Sequence, residues 1–353
     1  MDPTALVAGG LMALLFSVAI FNGDDDSPAT DRDADELTLD PETGTVTGTG
    51  GDDVIDLDEP GSSTDGYMNV SAGGGNDTVT SEHGGMIFGE AGDDLLTVLN
   101  DNGGVTDGGA GNDVLNVTPI AGQVLGGEGN DTINYDGNES LPETGITVDA
   151  GAGDDVVNVE SGFATLFGGT GNDTLSVTGE AGEQSSDGYI DLGDGHDLLI
   201  LDGEVSHDFR LHDGEGDDTI RVLQATASPD ESGVNVRWIN SGAGNDVYEF
   251  TLSPDENAQH FDDPDAMGYA HAAIILDFEA GEDRLVVDPY SLAGDATYTG
   301  HELTLANSTG YQEVVFHYTH PDYPEGLAVS VAVTSGRITA EDIEITGAPT
   351  PAA

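Results

Sequence analysis

The stretch Gly108-Gly109-Ala110-Gly111-Asn112-Asp113-Val114-Leu115 occurs, with small changes, ten times in this chain. In every copy an aspartate follows two residues after a glycine, and a large apolar or aromatic side chain follows two residues after the aspartate. A repeat of this regularity predicts an architecture in which each copy forms one stacked unit. The ten aspartates are Asp53, Asp77, Asp94, Asp113, Asp131, Asp155, Asp173, Asp197, Asp218 and Asp246.

The glycines of the motif are suited to a tight turn around a metal ion. Glycine tolerates positive φ and close backbone approach, so the turn can direct its carbonyl oxygens inward. Carbonyl and carboxylate oxygens are hard donors that suit Ca²⁺, and the chain has no cysteine to offer a thiolate. A turn that only reverses a hairpin is the simpler alternative, but ten copies argue against it. Besides the aspartates, the predicted Ca²⁺-site residues are Gly109, Gly111, Gly127, Gly129, Gly151, Gly153, Gly169 and Gly171.

The motif closely resembles the nonapeptide of the RTX (repeats-in-toxin) family of calcium-binding β-roll proteins. A second resemblance, to the segment that follows the β-roll in type I secreted proteins such as serralysin-like proteases, lies in Ile275, Asp277, Phe278, Gly281, Asp283 and Leu285. The stretch from Ile338 to Ile343 looks like the closing segment of the same proteins. The resemblance covers about residues 44–345 and implies a calcium-binding β-roll that leaves the cell by type I secretion.

The spacing of the aspartates predicts a one-sided arrangement. They lie 17 to 28 residues apart, whereas the family's motif recurs about every nine residues, with two turns in each coil. We therefore expect one Ca²⁺ turn per coil of about 18 residues. Apolar residues recur seven residues before and two and four residues after the aspartates, interrupted at Thr106 and Ser81, and this period-two spacing predicts strands. The predicted fold is all-β, a parallel β-roll or β-solenoid with coils about 4.8 Å apart.

Four regions are predicted along the chain. They are a short hydrophobic helix at 1–23, an acidic linker at 24–43, the calcium-binding solenoid at 44–250, and a small β-rich cap with a secretion signal at 251–353. The run from Ala5 to Phe21 is apolar and at the short end for a membrane span. It is compatible with a membrane anchor, a cleaved signal peptide or a buried helix. Type I secreted proteins lack such a segment, so the export route stays open.

The charge of the chain excludes several partners. Sixty-nine acidic residues face six arginines and no lysine, for a formal net charge of −63. Such a chain is not expected to bind nucleic acid or an anionic membrane surface electrostatically. The acidic surface of a halophilic protein would explain part of this charge, but not an aspartate at one fixed position of a repeat. Without cysteine, bound Ca²⁺ would have to provide the cross-linking that disulfides provide in other extracellular proteins.

The sequence contains no recognisable catalytic motif. Neither His-Glu-x-x-His nor Gly-x-Ser-x-Gly occurs. The predicted function is therefore that of a non-catalytic calcium-binding protein, extracellular or at the cell surface, in adhesion, in a surface coat or in calcium binding itself. The alternative is a polysaccharide-modifying β-solenoid lyase or epimerase. Candidates for a carbohydrate-contacting face are Tyr67, Tyr189, Phe209, Arg237 and Trp238.

Overall fold

The structure is a computed structural model of the 353-residue chain. It describes residues 19–22, 37–40, 44–57, 69–82, 85–137, 146–160, 164–178, 189–202, 210–226, 236–254, 271–305, 311–334 and 337–347. These residues form 26 β-strands and no α-helix, which confirms the predicted all-β class. In this part of the chain there is accordingly no helix long and apolar enough to span a membrane.

Two parallel sheets run along the molecule, joined at the aspartate turns. The leading sheet, formed by strands that precede the turns, contains β3 (Thr45–Thr49), β5 (Asn69–Gly74), β7 (Met86–Ala91), β11 (Ile146–Ala152), β13 (Ala164–Thr170), β15 (Tyr189–Asp194), β17 (Arg210–His212), β19 (Val236–Asn240) and β21 (His271–Ile275). The trailing sheet, formed by strands that follow the turns, contains β4 (Asp53–Asp56), β6 (Thr78–Ser81), β10 (Thr132–Tyr135), β12 (Val156–Val159), β14 (Thr174–Thr178), β16 (Leu198–Asp202), β18 (Thr219–Thr226), β20 (Val247–Ser253), β22 (Arg284–Asp288) and β26 (Ile343–Ile345). Two long strands, β8 (Leu95–Ala110) and β9 (Val114–Glu128), run through both sheets.

Neighbouring coils are in register at the aspartate turns. In the trailing sheet Val114 pairs with Thr132, Thr132 with Val156, and Val156 with Thr174. Each of these residues directly follows a motif aspartate, so the aspartates of successive coils lie one above another. The prediction of a parallel solenoid with one aspartate turn per coil is confirmed.

The core is a thin apolar layer between the two sheets. The residues seven before and two after each motif aspartate are at most 3% exposed. Thr106 and Ser81, which interrupt the apolar pattern, are fully buried as well, at 0%. Burial of one large apolar side chain stabilises a fold by about 1.5–3 kcal/mol. Since each coil contributes only a few such residues, its stability depends on the coils stacked on either side.

The first coil is covered by two short antiparallel strands that the sequence analysis did not predict. β1 (Ala19–Asn22) pairs with β4, and β2 (Thr38–Asp40) pairs with β3. The end of the predicted N-terminal helix and part of the predicted acidic linker are therefore strands, because the open edge of the first coil presents backbone groups that need partners. The rest of the predicted helix, residues 1–18, lies outside the described residues.

The C-terminal end carries the predicted β-rich cap. β23 (Thr297–Leu305), β24 (Gln312–His320) and β25 (Tyr323–Val333) form an antiparallel meander, and β25 also pairs in parallel with β21. On the other side, β22 and β26 extend the trailing sheet. The parallel pairing of both sheets thus continues past residue 250, and the leading sheet joins the meander through the pairing of β21 with β25.

Candidate metal centre

The motif aspartates form a single buried row along one side of the solenoid. Asp53 is the first residue of β4, and each of the other nine lies directly before a strand that follows the turn. All ten are at most 3% exposed. The backbone N–H of each donates a hydrogen bond to Oδ1 of the aspartate in the next coil, at 2.7 to 3.0 Å, from Asp53 to Asp246 without a break. Asp246 in turn donates to Asp283, which extends the row by one coil. We call Asp283 and the ten motif aspartates the aspartate row.

A second, exposed row runs beside the first in the opposite sense. It consists of the residues that directly precede the motif aspartates, which are Asn, Asp or His. From Asp52 to Asp217, the side chain of each accepts a hydrogen bond from the backbone N–H of the corresponding residue in the next coil. Asn130 donates in this way to Asn112 at 2.8 Å, and Asp154 to Asn130 at 2.9 Å. Every turn is therefore fastened to both neighbours, which explains why residues with a short acceptor side chain recur at this position.

The eight predicted site glycines shape the turns. All have positive φ, between 108° and 137°. A Cβ added to any of them would lie 1.9–2.2 Å from a carbonyl oxygen of the preceding coil, as at Gly129 against the oxygen of Gly111. Only glycine allows both the conformation and the approach. Glu90 is the one residue other than glycine with positive φ in the described part of the chain, at 75°, and it stands at a glycine position of the motif.

The second carboxylate oxygen distinguishes the middle of the row from its ends. At the ends, Oδ2 has protein partners: Asp53 accepts from the backbone N–H of Thr49 at 2.7 Å, and Asp283 accepts from that of Glu279 at 2.7 Å. Between them, eight Oδ2 atoms are buried with no hydrogen-bond partner. They belong to Asp77, Asp94, Asp113, Asp131, Asp155, Asp173, Asp197 and Asp218. A buried carboxylate oxygen without a partner is costly, so these atoms fit a bound cation.

Burial raises the pKa of the carboxyl groups in the aspartate row. Removal from water raises the pKa of the buried carboxyls, a hydrogen bond from the adjacent backbone N–H opposes the shift, and nearby carboxylates add to it. The pKa rises from 3.8 to about 7 for Asp77, Asp113, Asp155, Asp197 and Asp246. It rises to about 6 for Asp173 and Asp218. It is also raised for Asp94, Asp131 and Asp283. Without a cation, the fully ionised row is therefore unfavourable.

One buried carboxylate beside the row was not predicted. Asp213 is fully buried, and its ligand oxygen lies within 4.8 Å of those of Asp218 and Asp246. Its Oδ1 accepts from the backbone N–H of Gly214 at 3.0 Å, and its Oδ2 accepts from the hydroxyl of Tyr248 at 3.0 Å. Burial, with a contribution from Asp246, raises the pKa of Asp213 to about 9.

The sequence held signals for both missed residues. Asp283 follows Gly281 by two residues and precedes Leu285 by two, which is the spacing of the repeat itself. Asp213 stands five residues before Asp218, where most other copies have glycine or alanine.

Two of the five predicted carbohydrate-contacting residues, Tyr189 and Trp238, lie close together. They stand on β15 and β19, on either side of Arg210 of β17, which the sequence analysis did not propose. With His212 and neighbouring residues they line an open cleft of about 380 Å³. Of the other candidates, Arg237 lies on β19, while Tyr67 and Phe209 lie outside the described residues.

Fold and site together define a parallel β-solenoid whose turns on one side carry a row of buried aspartates able to hold metal ions. No protein-family model matches the sequence, and no curated protein matches it either.

Proposed function

We propose that this protein is a non-catalytic calcium-binding β-roll protein that folds on binding Ca²⁺ outside the cell. The observation that carries the proposal is the set of eight buried Oδ2 atoms without a partner, repeated in eight successive coils. Hard oxygen donors and clustered negative charge favour Ca²⁺ over softer metals. The resemblance of the repeats to RTX motifs supports the same ion.

The aspartate row would hold the ions, together with carbonyl oxygens of the motif glycines. Bound Ca²⁺ would neutralise the buried carboxylates and so remove the repulsion between adjacent coils. The fold itself positions the aspartates. The glycines allow the coils to approach closely, and the two rows of hydrogen bonds hold the aspartates of successive coils one above another.

An extracellular or cell-surface location is part of the proposal. The chain has sixty-nine acidic residues and no cysteine, so it has no disulfides, and bound cations would offset the repulsion between its carboxylates. Free Ca²⁺ is far more abundant outside cells than in the cytosol. The resemblance of the C-terminal segment to that of type I secreted proteins supports the same location.

A calcium titration of the purified, metal-free full chain tests the proposal. We expect the β-sheet signal in circular dichroism to be weak at pH 8 and low salt, and to appear cooperatively as Ca²⁺ is added. Mg²⁺ at the same concentrations is the control, and should be much less effective because it dehydrates reluctantly and demands octahedral geometry. A full β-sheet spectrum in metal-free buffer that Ca²⁺ does not change would contradict the proposal.

The cleft between Tyr189, Arg210 and Trp238 favours a second role, contact with carbohydrate. Aromatic rings beside an arginine provide a stacking surface and a hydrogen-bond donor. A polysaccharide lyase or epimerase would use such a cleft for catalysis, whereas an adhesion protein would use it for binding alone. Incubation of the calcium-loaded protein with uronate-containing polysaccharides separates the two. A lyase creates an unsaturated, ultraviolet-absorbing product, an epimerase changes the configuration of the uronate and so its proton NMR spectrum, and binding alone does neither.

A further inference from the structure

Where the position five residues before a motif aspartate is glycine, it faces Oδ2 of that aspartate. A Cβ added to Gly108, for example, would lie 2.5 Å from Oδ2 of Asp113. The same holds for Gly126 against Asp131, at 2.6 Å. A side chain at this position therefore enters the space towards which Oδ2 points. Across the ten copies the position holds Gly48, Ala72, Gly89, Gly108, Gly126, Ala150, Gly168, Leu192, Asp213 and Ser241.

Asp213 is the one acidic residue in that set. It places a second carboxylate beside Asp218 of its own coil, and Asp246 of the next coil supplies a third. All three side chains are at most 1% exposed. Independently of this cluster, Oδ2 of Asp218 is buried and lacks a hydrogen-bond partner.

The surroundings fix Asp213 without neutralising the cluster. Tyr248 stands where the other nine copies have an aliphatic residue, and its hydroxyl donates to Asp213 at 3.0 Å. Its ring packs in the core near Phe278, with centroids 6.4 Å apart. Arg221, on the strand that follows Asp218, pairs with Glu249 at 2.5 Å instead of with the cluster. Three carboxylates thus lie together in a buried site. Hydrogen bonds from Gly214 and Tyr248 hold the carboxylate of Asp213 in a fixed orientation.

We propose that Asp213, Asp218 and Asp246 form a three-carboxylate site for a hard cation of the Ca²⁺ or lanthanide type, and that this site fills before the rest of the aspartate row. The proposal rests on the proposed binding of Ca²⁺ by the row and adds that one position in it is distinct. A third buried carboxylate strengthens the attraction for a cation and gives the site a further hard ligand. Once filled, the site would join two coils near the C-terminal end, from which ordered stacking can extend towards the N-terminus.

Terbium luminescence on the full chain tests this site, because the phenol of Tyr248 can transfer excitation to a Tb³⁺ ion close to it. We expect the first equivalent of Tb³⁺ to give tyrosine-sensitised emission in the wild-type protein. Tyr248→Phe should remove most of that emission while Tb³⁺ still binds, as measured by equilibrium dialysis. Emission from the first equivalent that persists in Tyr248→Phe would place the tightest site elsewhere and overturn the proposal.

Asp213→Asn and Asp213→Gly test the third carboxylate. Asparagine keeps the shape of the side chain, and glycine is what several other coils carry at this position, so at least one of the variants should fold. Both should weaken binding of the first equivalent by about tenfold or more, since one charge pair at close range is worth at least that factor. As a control, Asp149→Asn removes a half-buried aspartate outside the row and should leave the binding of the first equivalent unchanged.

The outcomes separate the two proposals. Ca²⁺ uptake with wild-type affinity for the first equivalent in both Asp213 variants would overturn the distinct site and leave the calcium row standing. Absence of any uptake of Ca²⁺ or Tb³⁺ by the wild-type chain would overturn both.

Discussion

Thr49 makes the first residue of the aspartate row different from those in its middle. Its backbone N–H and hydroxyl both donate to Oδ2 of Asp53, at 2.7 and 3.0 Å. Oδ2 of Asp131 has no partner, while its Oδ1 accepts from the buried backbone N–H of Asp113 at 2.8 Å. Thr49 breaks the glycine pattern of the motif, and the structure gives the reason: this end of the row satisfies its carboxylate within the protein.

Replacement of Asp131 should therefore damage folding more than replacement of Asp53. Asp131→Ala removes a predicted ligand shared by two coils and leaves the buried N–H of Asp113 unpaired, at a cost of about 1–3 kcal/mol. Asp53→Ala leaves no N–H of the row without an acceptor. We expect the Ca²⁺ midpoint, measured by circular dichroism, to rise clearly more in Asp131→Ala. Equal midpoints would mean that the turns bind ions independently.

Glycine substitutions can separate backbone strain from crowding between coils. Gly129 has φ of 127°, and an added Cβ would lie 1.9 Å from the oxygen of Gly111. Gly103 also has positive φ, 91°, but open space around its Cα. Gly103→Ala should cost only the conformational strain, about 1–2 kcal/mol. Gly129→Ala should cost more, because two coils must also move apart. Urea unfolding of both calcium-loaded variants measures the difference, and similar losses would argue against tight stacking.

At the scale of the elements, the periodicity of the sequence predicted the strands within each coil but not the pairings between strands far apart in the chain. The apolar positions around each aspartate specified the strands, their buried faces and the single row, since each coil repeats the same short-range pattern. Nothing in that pattern indicates that Ala19–Asn22 returns antiparallel to β4, or that β25 joins β21, because such pairings depend on which edges remain open. Asp213 was missed for another reason: it breaks the repeat, and only its burial beside Asp218 shows what it contacts.

The cleft on the leading sheet contains a tryptophan whose fluorescence can report the binding of saccharides. Trp238 is the single tryptophan of the chain, and it lines the cleft with Tyr189 and Arg210. If saccharides stack there, they should change the fluorescence of the calcium-loaded protein in a saturable manner. Arg210→Gln should weaken the effect by removing the charged donor, whereas Arg284→Gln, at an arginine that pairs with Glu344 away from the cleft, should not. No fluorescence change with a panel of neutral and acidic polysaccharides would remove the carbohydrate proposal.

At the scale of the whole molecule, the row and the acidic surface respond differently to salt. The chain has a net charge of −63, and many of the acidic side chains outside the row are exposed in the part of the chain that the structure describes. Monovalent salt screens the repulsion between such exposed charges over about 8–10 Å. The aspartate row is buried and is screened much less. High NaCl should therefore compact the metal-free chain only in part, and Ca²⁺ should still be required for the full β-sheet signal. If circular dichroism shows complete folding in NaCl alone, Ca²⁺ is not required for folding, and the acidic residues serve adaptation to high salt instead.

The raised pKa values predict opposite pH dependences for the metal-free and the calcium-loaded protein. In the folded chain without metal, burial raises the pKa of Asp155 and of several other row residues from 3.8 to about 7. The stability of that state is then fully present below pH 3.8 and is lost as the pH rises through 7, because the buried carboxyls must ionise. Ca²⁺ requires the ionised form, so its binding should strengthen over the same range and release protons. The first statement is checked by circular dichroism of protein freed of metal by dialysis, whose β-sheet signal should be stronger at pH 5 than at pH 8. The second is checked by calcium titration in weakly buffered solution, where the released protons lower the pH.

Asp155 and its neighbour Asp154 allow this pH effect to be assigned to the row. Asp155 is buried, and its Oδ1 accepts from the backbone N–H of Asp131 at 2.7 Å, a bond that asparagine can keep. Asp154 is exposed, and other coils carry asparagine at its position. Asp155→Asn should stabilise the metal-free protein at pH 8, since one buried charge is gone, and should raise the Ca²⁺ midpoint. Asp154→Asn removes the same formal charge and should change neither by more than a small amount, because an exposed charge is well solvated. Equal effects of the two variants would mean that net charge controls folding, and the buried row would lose its special role.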